Sequence, residues 1–235
     1  IEIVPSMQSV KTSYSEGFYQ ILEVTPGRDG VLCFIAEFAA EQEYFIRLFM
    51  PSGAFFRLSV YALENDLYTL SPLKGDLHVH TSGSDGNESP EVTAALFRKA
   101  GFDFTVISDH SNYQGSVRAR EFYSGTPLNL CIVNGEEVHP ADNHIHIVNF
   151  GGQASVSAAL GEQPETYQTE IARRMESLPS LPEGVDAREY ASTCWVCDKI
   201  REGGGIAIFA HPFWMVKAYH VNLAMTKYLF EHKPF

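Results

Sequence analysis

Histidine and carboxylate side chains recur at the ends of short apolar segments in the second half of the chain, and this pattern constrains the fold most strongly. Six of the nine histidines lie in four such segments, "DLHVHT", "VISDH", "HIHIVNF" and "AIFAHP", and "CIVNGEEVH" adds two glutamates. Short apolar runs are typical of buried strands. Because the carboxyl ends of parallel strands meet at one edge of a sheet or barrel, the pattern predicts one polar site built from several strand ends.

Strands and helices alternate in residues 73–235. The predicted strands are "DLHVHT", "DFTVIS", "NLCIVNG", "NHIHIVNFGG" and "IAIFAHP", and the predicted helices lie in "SPEVTAALFRKAG", "ETYQTEIARRMESL" and "AREYASTCWVCDKIREGGG". Ser89 and Pro90 are typical of a helix start, and Gly101 is typical of a helix end. This alternation predicts an α/β fold with a parallel sheet or barrel.

Residues 1–72 have a different pattern. The segments "GFYQILEV", "GVLCFIAEFA", "EYFIRLFM" and "AFFRLSVYALE" are rich in aromatic and β-branched residues and are separated by turn-type clusters. We therefore expect a small antiparallel β domain over residues 1–72, followed by the α/β domain over residues 73–235.

Composition excludes some classes of protein. Hydrophobic residues make up 45% of the 235 residues, which is enough for a buried core, and the formal charge of −12 argues against a nucleic-acid-binding surface. No apolar run approaches the ~20 residues that span a bilayer. The chain begins at Ile1, so we expect a soluble mature or trimmed product from which any signal peptide has been removed. The compartment stays open.

The four cysteines are predicted to be mainly packing residues. Cys33 and Cys131 lie in apolar stretches and are expected in the core. Cys194 and Cys197 form "CWVC", for which buried helix packing is favoured over a redox pair, a disulfide or a metal site, because no second CxxC is present.

His78 and His80 are two residues apart on an extended segment, so both rings point to one face. Two neighbouring imidazoles repel each other when protonated, whereas one divalent cation satisfies both. A pair of solvent-facing histidines is the alternative. Asp85 lies on the following glycine-rich loop, where it is either a further ligand or a turn residue.

The ordered motifs "DLHVHTSGSDG", "TVISDH", "NGEEV", "HIHIVNFG" and "IAIFAHP" resemble those of the PHP (polymerase and histidinol phosphatase) superfamily, and the β-rich segment before "GDLHVHT" resembles its CehA/McbA branch. The resemblance covers roughly residues 73–215 and implies a distorted (β/α)7 barrel. It also implies hydrolysis of phosphoesters or related bonds with two or three divalent metal ions, for which zinc, manganese and iron all accept mixed nitrogen and oxygen ligands.

The resemblance implies a role for each motif residue. Metal ligands would be His78, His80, Asp85, His110, Glu137, His146 and His211. Among these, Glu137 would bridge two ions and take part in catalysis, and His144 is the alternative to His146. Asp109 would orient His110 as a second catalytic residue. Three histidines, His139, His220 and His232, are expected in a loop or on the surface.

The family's final Asp-x-His pair has no counterpart, because no aspartate follows His211, and we therefore expect the barrel to be incomplete at its C-terminus. Arg118, Arg120 and Lys217 are candidate phosphate-binding residues or ordinary surface charges. Three functions remain open. They are a phosphoesterase on a small molecule or nucleotide, a hydrolase of carboxylic esters, carbamates or amides, and a truncated barrel that binds metal without turnover. No nucleic-acid or membrane partner is expected.

Overall fold

The computed structural model describes residues 1–5, 20–215 and 217–235. The chain divides into two compact units, Ile1–Pro72 and Leu73–Phe235, and each is described by itself below.

The first unit is one antiparallel sheet with the strand order β2-β1-β3-β4. Its strands are β1 (Glu2–Pro5), β2 (Gln20–Ile21), β3 (Gln42–Phe49) and β4 (Phe55–Ala62), and a short helix, α1 (Asn65–Tyr68), follows. Strands β3 and β4 form a hairpin in which Phe49 pairs with Phe55, and Gly53 in the turn has a φ of +84°. The antiparallel prediction is confirmed for these two strands.

Two expectations for the first unit are wrong. The segment "GVLCFIAEFA" forms no strand, and Cys33 within it is exposed rather than in the core. The sheet uses Glu2–Pro5 instead, whose last three residues are buried between β2 and β3. Of "GFYQILEV", Gln20–Ile21 pairs with β1, and residues 17–19 lie outside the described residues.

The second unit alternates strands and helices. Its strands are β5 (Gly75–Asp76), β6 (Phe104–Val106), β7 (Cys131–Val133), β8 (Gly135–Val138), β9 (Ile147–Phe150) and β10 (Ile206–Phe209). Its helices are α2 (Pro90–Lys99), α3 (Gln114–Phe122), α4 (Val156–Glu162), α5 (Pro164–Glu176), α6 (Ala187–Glu202) and α7 (Leu223–His232). The predicted helices correspond to α2, α5 and α6.

The second unit contains two three-stranded sheets. Strands β5, β6 and β7 are parallel, whereas β9 pairs antiparallel with both β8 and β10. A parallel bridge between His110 and Glu137 links the extension of β6 to β8. The mixed α/β class is confirmed, and closure into a (β/α)7 barrel stays a prediction.

Most of the predicted strand "DLHVHT" is not a β-strand, because β5 ends at Asp76. Residues 77–81 stay attached to the β6 extension through Val79, whose carbonyl accepts from the Ser108 amide at 2.8 Å. The Ser108 hydroxyl accepts from the Val79 amide at 3.0 Å. This double contact fixes the backbone between His78 and His80.

Helix α2 begins as the sequence predicts. The Ser89 hydroxyl accepts from the Val92 amide at 3.3 Å, Pro90 occupies the first turn, and Gly101 follows the helix with a φ of +79°. A left-handed residue after the last turn is the usual helix stop, and glycine adopts that conformation without strain.

The main core lies where α4–α7 pack with β8–β10, and it includes Ile145, Trp195, Ile200 and Met225. Helix α6 contributes the buried thiol of Cys197, and Cys194 is half-buried, so "CWVC" serves packing as predicted and both thiols are free. Cys131 is exposed, against expectation, because strand alternation turns its neighbour Ile132 inward instead. Within the described residues, no helix combines the length and apolar character needed to cross a bilayer.

Candidate metal centre

Five imidazole rings surround one buried carboxylate, that of Glu137. Three ring nitrogens approach its Oε2 atom and two approach its Oε1 atom. The distances to Oε2 are 3.3 Å from His78 Nε2, 3.1 Å from His80 Nε2 and 2.8 Å from His110 Nδ1. The distances to Oε1 are 3.1 Å from His146 Nδ1 and 2.9 Å from His211 Nε2.

Strand pairing explains why residues far apart in sequence meet here. The bridge between His110 and Glu137 aligns the β6 extension with β8. Strand β9 runs antiparallel to β8, so His146, just before β9, lies at the edge where β8 ends. The Ala210 amide donates to the His146 carbonyl at 3.1 Å, which places His211 beside it. His211 has a φ of +29°, a strained conformation for a non-glycine residue and one found mainly at functional sites.

The histidines hold Glu137 ionised. Burial opposes ionisation, but the contacts of the carboxylate with the His146, His211, His78 and His80 rings outweigh it and hold the pKa of Glu137 far below its usual range. The same carboxylate, with Asp85, raises the pKa of His80 to about 9 against the effect of burial. At neutral pH the metal-free cluster is therefore an ion pair buried among further imidazoles.

Two sets of ligand atoms converge on this carboxylate. His78, Glu137 and His211 form one set, and His80, His110 and Glu137 form the other, with the atoms of each set within 4.8 Å of one another. Both sets share Glu137. Imidazole nitrogens and a bridging carboxylate suit divalent transition metals.

The contact between His110 and Glu137 tests whether the residues fit a cation. His110 Nδ1 and Glu137 Oε2 are buried and lie 2.8 Å apart, yet neither has a hydrogen-bond partner with suitable angles in the described part of the chain. Buried polar atoms are normally satisfied, so this pair requires an explanation. A cation bound by both lone pairs satisfies them, and the donor set therefore fits a metal.

Asp85 takes a different position from its predicted one. Its Oδ1 atom lies 2.7 Å from His80 Nδ1, its side chain is 67% exposed, and its Oδ2 atom is 3.7 Å from His110 Nε2. Neither converging set includes it. In this geometry Asp85 orients the His80 ring from the side opposite Nε2, as carboxylates commonly do for metal-binding histidines.

Asp109 is fully buried, but its carboxylate does not contact the His110 ring as the resemblance implies. Oδ1 accepts from the Thr81 amide at 2.6 Å and the Ser84 hydroxyl at 2.8 Å, and Oδ2 accepts from the Thr81 hydroxyl at 2.6 Å. Adjacent residues of an extended segment point to opposite faces, so Asp109 points away from His110. It fixes the loop that follows His80, which is a structural role, and the catalytic assignment stays a prediction.

That loop approaches Asp109 closely enough to require a glycine. A Cβ added at Gly83 would lie 2.5 Å from the Asp109 Oδ2 atom, and one at Gly115 would lie equally close. Both glycines thus make room for the carboxylate that holds the loop.

Two histidines expected in a loop or on the surface lie beside the cluster. The His139 ring stacks on His146 with 4.5 Å between centroids, and the His220 ring lies 5.2 Å from His146. Burial lowers the pKa of both rings. His139 follows Glu137 by two residues, and alternation along an extended segment puts residues with this spacing on the same face. This spacing is the sequence signal that could have placed His139 beside the cluster. His220 lies in a loop without periodicity. His232 is exposed, as expected.

His146, not His144, lies at the cluster. His144 is 73% exposed and its Nδ1 atom lies 2.7 Å from Glu189 Oε1. The cationic candidates for phosphate binding lie elsewhere: Arg118 pairs with Glu91, Arg120 borders a separate cavity beside β7, and Lys217 is exposed. None of the three lines the cavity at the cluster.

Comparison with known proteins gives short and partial matches. No protein-family model matches the chain. It is 32% identical over 87 residues to the DNA polymerase/3'-5' exonuclease PolX of Bacillus subtilis, which covers 34% of this chain and 15% of that protein. It is 28% identical over 131 residues to the phosphoribosyl 1,2-cyclic phosphate 1,2-diphosphodiesterase of Eggerthella lenta, with 51% of this chain and 49% of that enzyme covered. The chain thus spans less than half of either relative.

Among solved structures, the chain is similar to a two-domain protein from Bacteroides vulgatus that contains a predicted PHP-like metal-dependent phosphoesterase. The TM-score is 0.44 at 16% identity, with 69% of this chain and 42% of that one covered. The sequence matches support the resemblance to the PHP superfamily.

Proposed function

We propose that the chain is a metal-dependent phosphoesterase of the PHP superfamily. The observation that carries this proposal is the pair of converging ligand sets that share the buried carboxylate of Glu137. One carboxylate shared by two sets of histidines is the arrangement expected for two cations held close together.

The first cation would be held by His78, Glu137 and His211, and the second by His80, His110 and Glu137. His146 lies 3.1 Å from Oε1 of Glu137 and would complete the first set. Asp85 would hold His80 in the orientation that leaves its Nε2 atom free to bind.

Divalent cations bound in this way lower the pKa of water and polarise a phosphoryl oxygen. Glu137 would fix their spacing, and its low pKa means that it stays a carboxylate through the working pH range. Ser108 would hold the His78–His80 segment at Val79, and Asp109 would hold the chain just after it at Thr81. The positively charged metals would bind the phosphate group, since no lysine or arginine is among the described residues that line the cavity.

The substrate we propose is a small-molecule phosphoester. A nucleic-acid strand requires a basic track, whereas the described residues that line the cavity include no lysine or arginine and the chain carries a charge of −12. The partial matches to PolX and to a cyclic phosphodiesterase favour phosphorus over carbon as the atom attacked. Membership of the CehA/McbA branch is part of the proposal and is supported by the β-rich unit that precedes the histidines.

Hydrolysis of p-nitrophenyl phosphate, bis(p-nitrophenyl) phosphate and p-nitrophenyl acetate tests the proposal. The chain is assayed after loading with Zn²⁺, Mn²⁺ or Fe²⁺, beside Glu137→Gln and the neighbouring Glu136→Gln as the matched control. We expect turnover of a phosphate ester that disappears in Glu137→Gln and persists in Glu136→Gln. Turnover of the acetate alone would indicate a carboxylic ester hydrolase instead of a phosphoesterase. Equal rates in both variants would contradict the placement of the active site at Glu137.

A further inference from the structure

Among the described residues that line the cavity at the cluster, Trp214 is the one whose side chain is neither a carboxylate nor an imidazole. The cavity has a volume of about 430 Å³ and is lined by His78, His80, Asp85, His110, Glu137, His146, His211 and Trp214. The indole is therefore the apolar surface that this lining offers to the organic portion of a substrate. Its role depends on how firmly it is held.

A short turn fixes the indole beside the cluster. The Trp214 amide donates to the His211 carbonyl at 2.9 Å, and the Trp214 carbonyl accepts from the His220 amide at the same distance. The indole lies 5.3 Å from the His211 ring and 4.8 Å from the His220 ring, measured between centroids. The backbone and two neighbouring rings thus hold Trp214 in position.

The indole nevertheless keeps an open face. Trp214 is 46% exposed, whereas Trp195 is only 3% exposed and its indole nitrogen donates to Glu170. The adjacent Phe213 and Met215 are each 61% exposed but do not line the cavity. Trp214 is therefore the apolar surface that a bound substrate can cover at this site.

We infer that Trp214 is a specificity-determining residue that selects phosphoesters whose alcohol portion carries an aromatic ring. This inference rests on the proposed function. Metals would bind the phosphoryl oxygens of every phosphoester alike, and no described cationic side chain of the lining distinguishes one ester from another. Discrimination then comes from the organic portion, and aromatic rings gain stacking or edge contacts with an indole beyond the burial of area.

Binding of phenylphosphonate and methylphosphonate tests this inference without catalysis, because neither has an ester bond to cleave. The metal-loaded chain is titrated with each by calorimetry, beside Trp214→Ala, Trp214→Leu and Trp214→Phe. We expect phenylphosphonate to bind about tenfold more tightly than methylphosphonate. The preference should fall to within about twofold in Trp214→Ala and Trp214→Leu, and most of it should survive in Trp214→Phe. Equal metal content in all four proteins shows that the cluster is intact.

Quenching of tryptophan fluorescence by acrylamide locates the ligand. Phenylphosphonate should protect the chain from quenching, and Trp214→Phe, in which Trp195 is the remaining tryptophan, should show no such protection. Equal affinity for the two phosphonates, or a preference that survives in Trp214→Ala, would overturn the inference alone. Failure of both phosphonates to bind, together with no hydrolysis of any phosphate ester, would overturn the proposed function and the inference with it.

Discussion

The two faces of β8 each bury one glutamate, and the comparison between them separates structure from function. Glu136 and Glu137 are neighbours and both are fully buried. Glu136 accepts from the Val156 amide at 2.6 Å, the Ser155 hydroxyl at 3.0 Å and the Ser157 amide at 3.4 Å. Glu137 faces five imidazoles instead.

The partners decide what each carboxylate can do. Glu136 accepts hydrogen bonds from amide and hydroxyl donors at the start of α4, and these donors do not bind cations. Its carboxylate is therefore fully hydrogen-bonded and anchors the helix. Imidazole nitrogens exchange protons for metal ions near neutral pH, so the histidines around Glu137 can bind and release metal ions. Burial of an acidic residue thus does not by itself indicate a catalytic site; the chemistry of the contacting atoms does.

The largest expected effect is on hydrolysis. Glu137→Gln removes the charge that both ligand sets share, and activity on the best phosphate ester should fall about 1,000-fold or more. Glu136→Gln should retain activity within about tenfold, because its contacts lie on the other face of β8. Initial rates at saturating metal measure both, and a comparable loss in the two variants would break the distinction between the faces.

Metal affinity should sharpen the comparison at the histidines. His146→Ala should weaken binding of the metal by about 10- to 100-fold, since His146 lies 3.1 Å from the shared carboxylate. His144→Ala is the matched control, because His144 is exposed and pairs with Glu189. Competition with a chromogenic chelator measures both affinities. An effect of His144→Ala as large as that of His146→Ala would show that the wrong histidine has been placed in the cluster.

Stability should respond in the opposite order. Glu136→Gln replaces the carboxylate, whose two oxygens accept from three donors, by a neutral amide with one acceptor oxygen. It should lower the free energy of unfolding of the metal-free chain by about 1–3 kcal/mol. Glu162→Gln, an exposed change on the same helix, should alter it by less than about 0.5 kcal/mol. Urea denaturation gives both values, and equal values would remove the anchoring role of Glu136.

Metal binding should also depend on pH. The raised pKa of His80, about 9, means that its protonated form stabilises the metal-free cluster fully below its ordinary pKa of 6.5, and this stabilisation is lost as the pH rises through 9. Metal must displace that proton, so affinity should rise by up to about tenfold per pH unit between pH 6.5 and 9. Asp85→Asn should move the rise to lower pH. Chelator competition across this range measures it, and a flat profile would contradict the ion pair.

Much of the second unit could be predicted from the sequence because its signals are local. Ser89 and Pro90 mark the start of α2, and the apolar runs that end in histidine mark the strands that build the cluster. The resemblance favours His146 over His144, although both are expected on one face of an extended segment, and the structure places His146 beside Glu137 and His144 beside Glu189.

Contacts distant in sequence explain the errors. The resemblance pairs Asp109 with His110, whereas the Asp109 carboxylate accepts from Thr81, which lies 28 residues earlier in the sequence. The segment "GVLCFIAEFA" has the composition of a strand but is not part of the sheet. Strand β1 pairs with β3 in its place. His220 approaches the cluster through a loop, where no periodic pattern indicates direction.

The metal content of the chain, purified without chelator or added metal, tests the central claim most directly. Elemental analysis of the unaltered protein is compared with a His78→Ala, His80→Ala double variant, which removes one histidine from each ligand set. The account predicts two or more equivalents of transition metal per chain and a clear loss in the variant. Absence of metal from the unaltered protein, or the same content in both, would contradict the metal centre at Glu137.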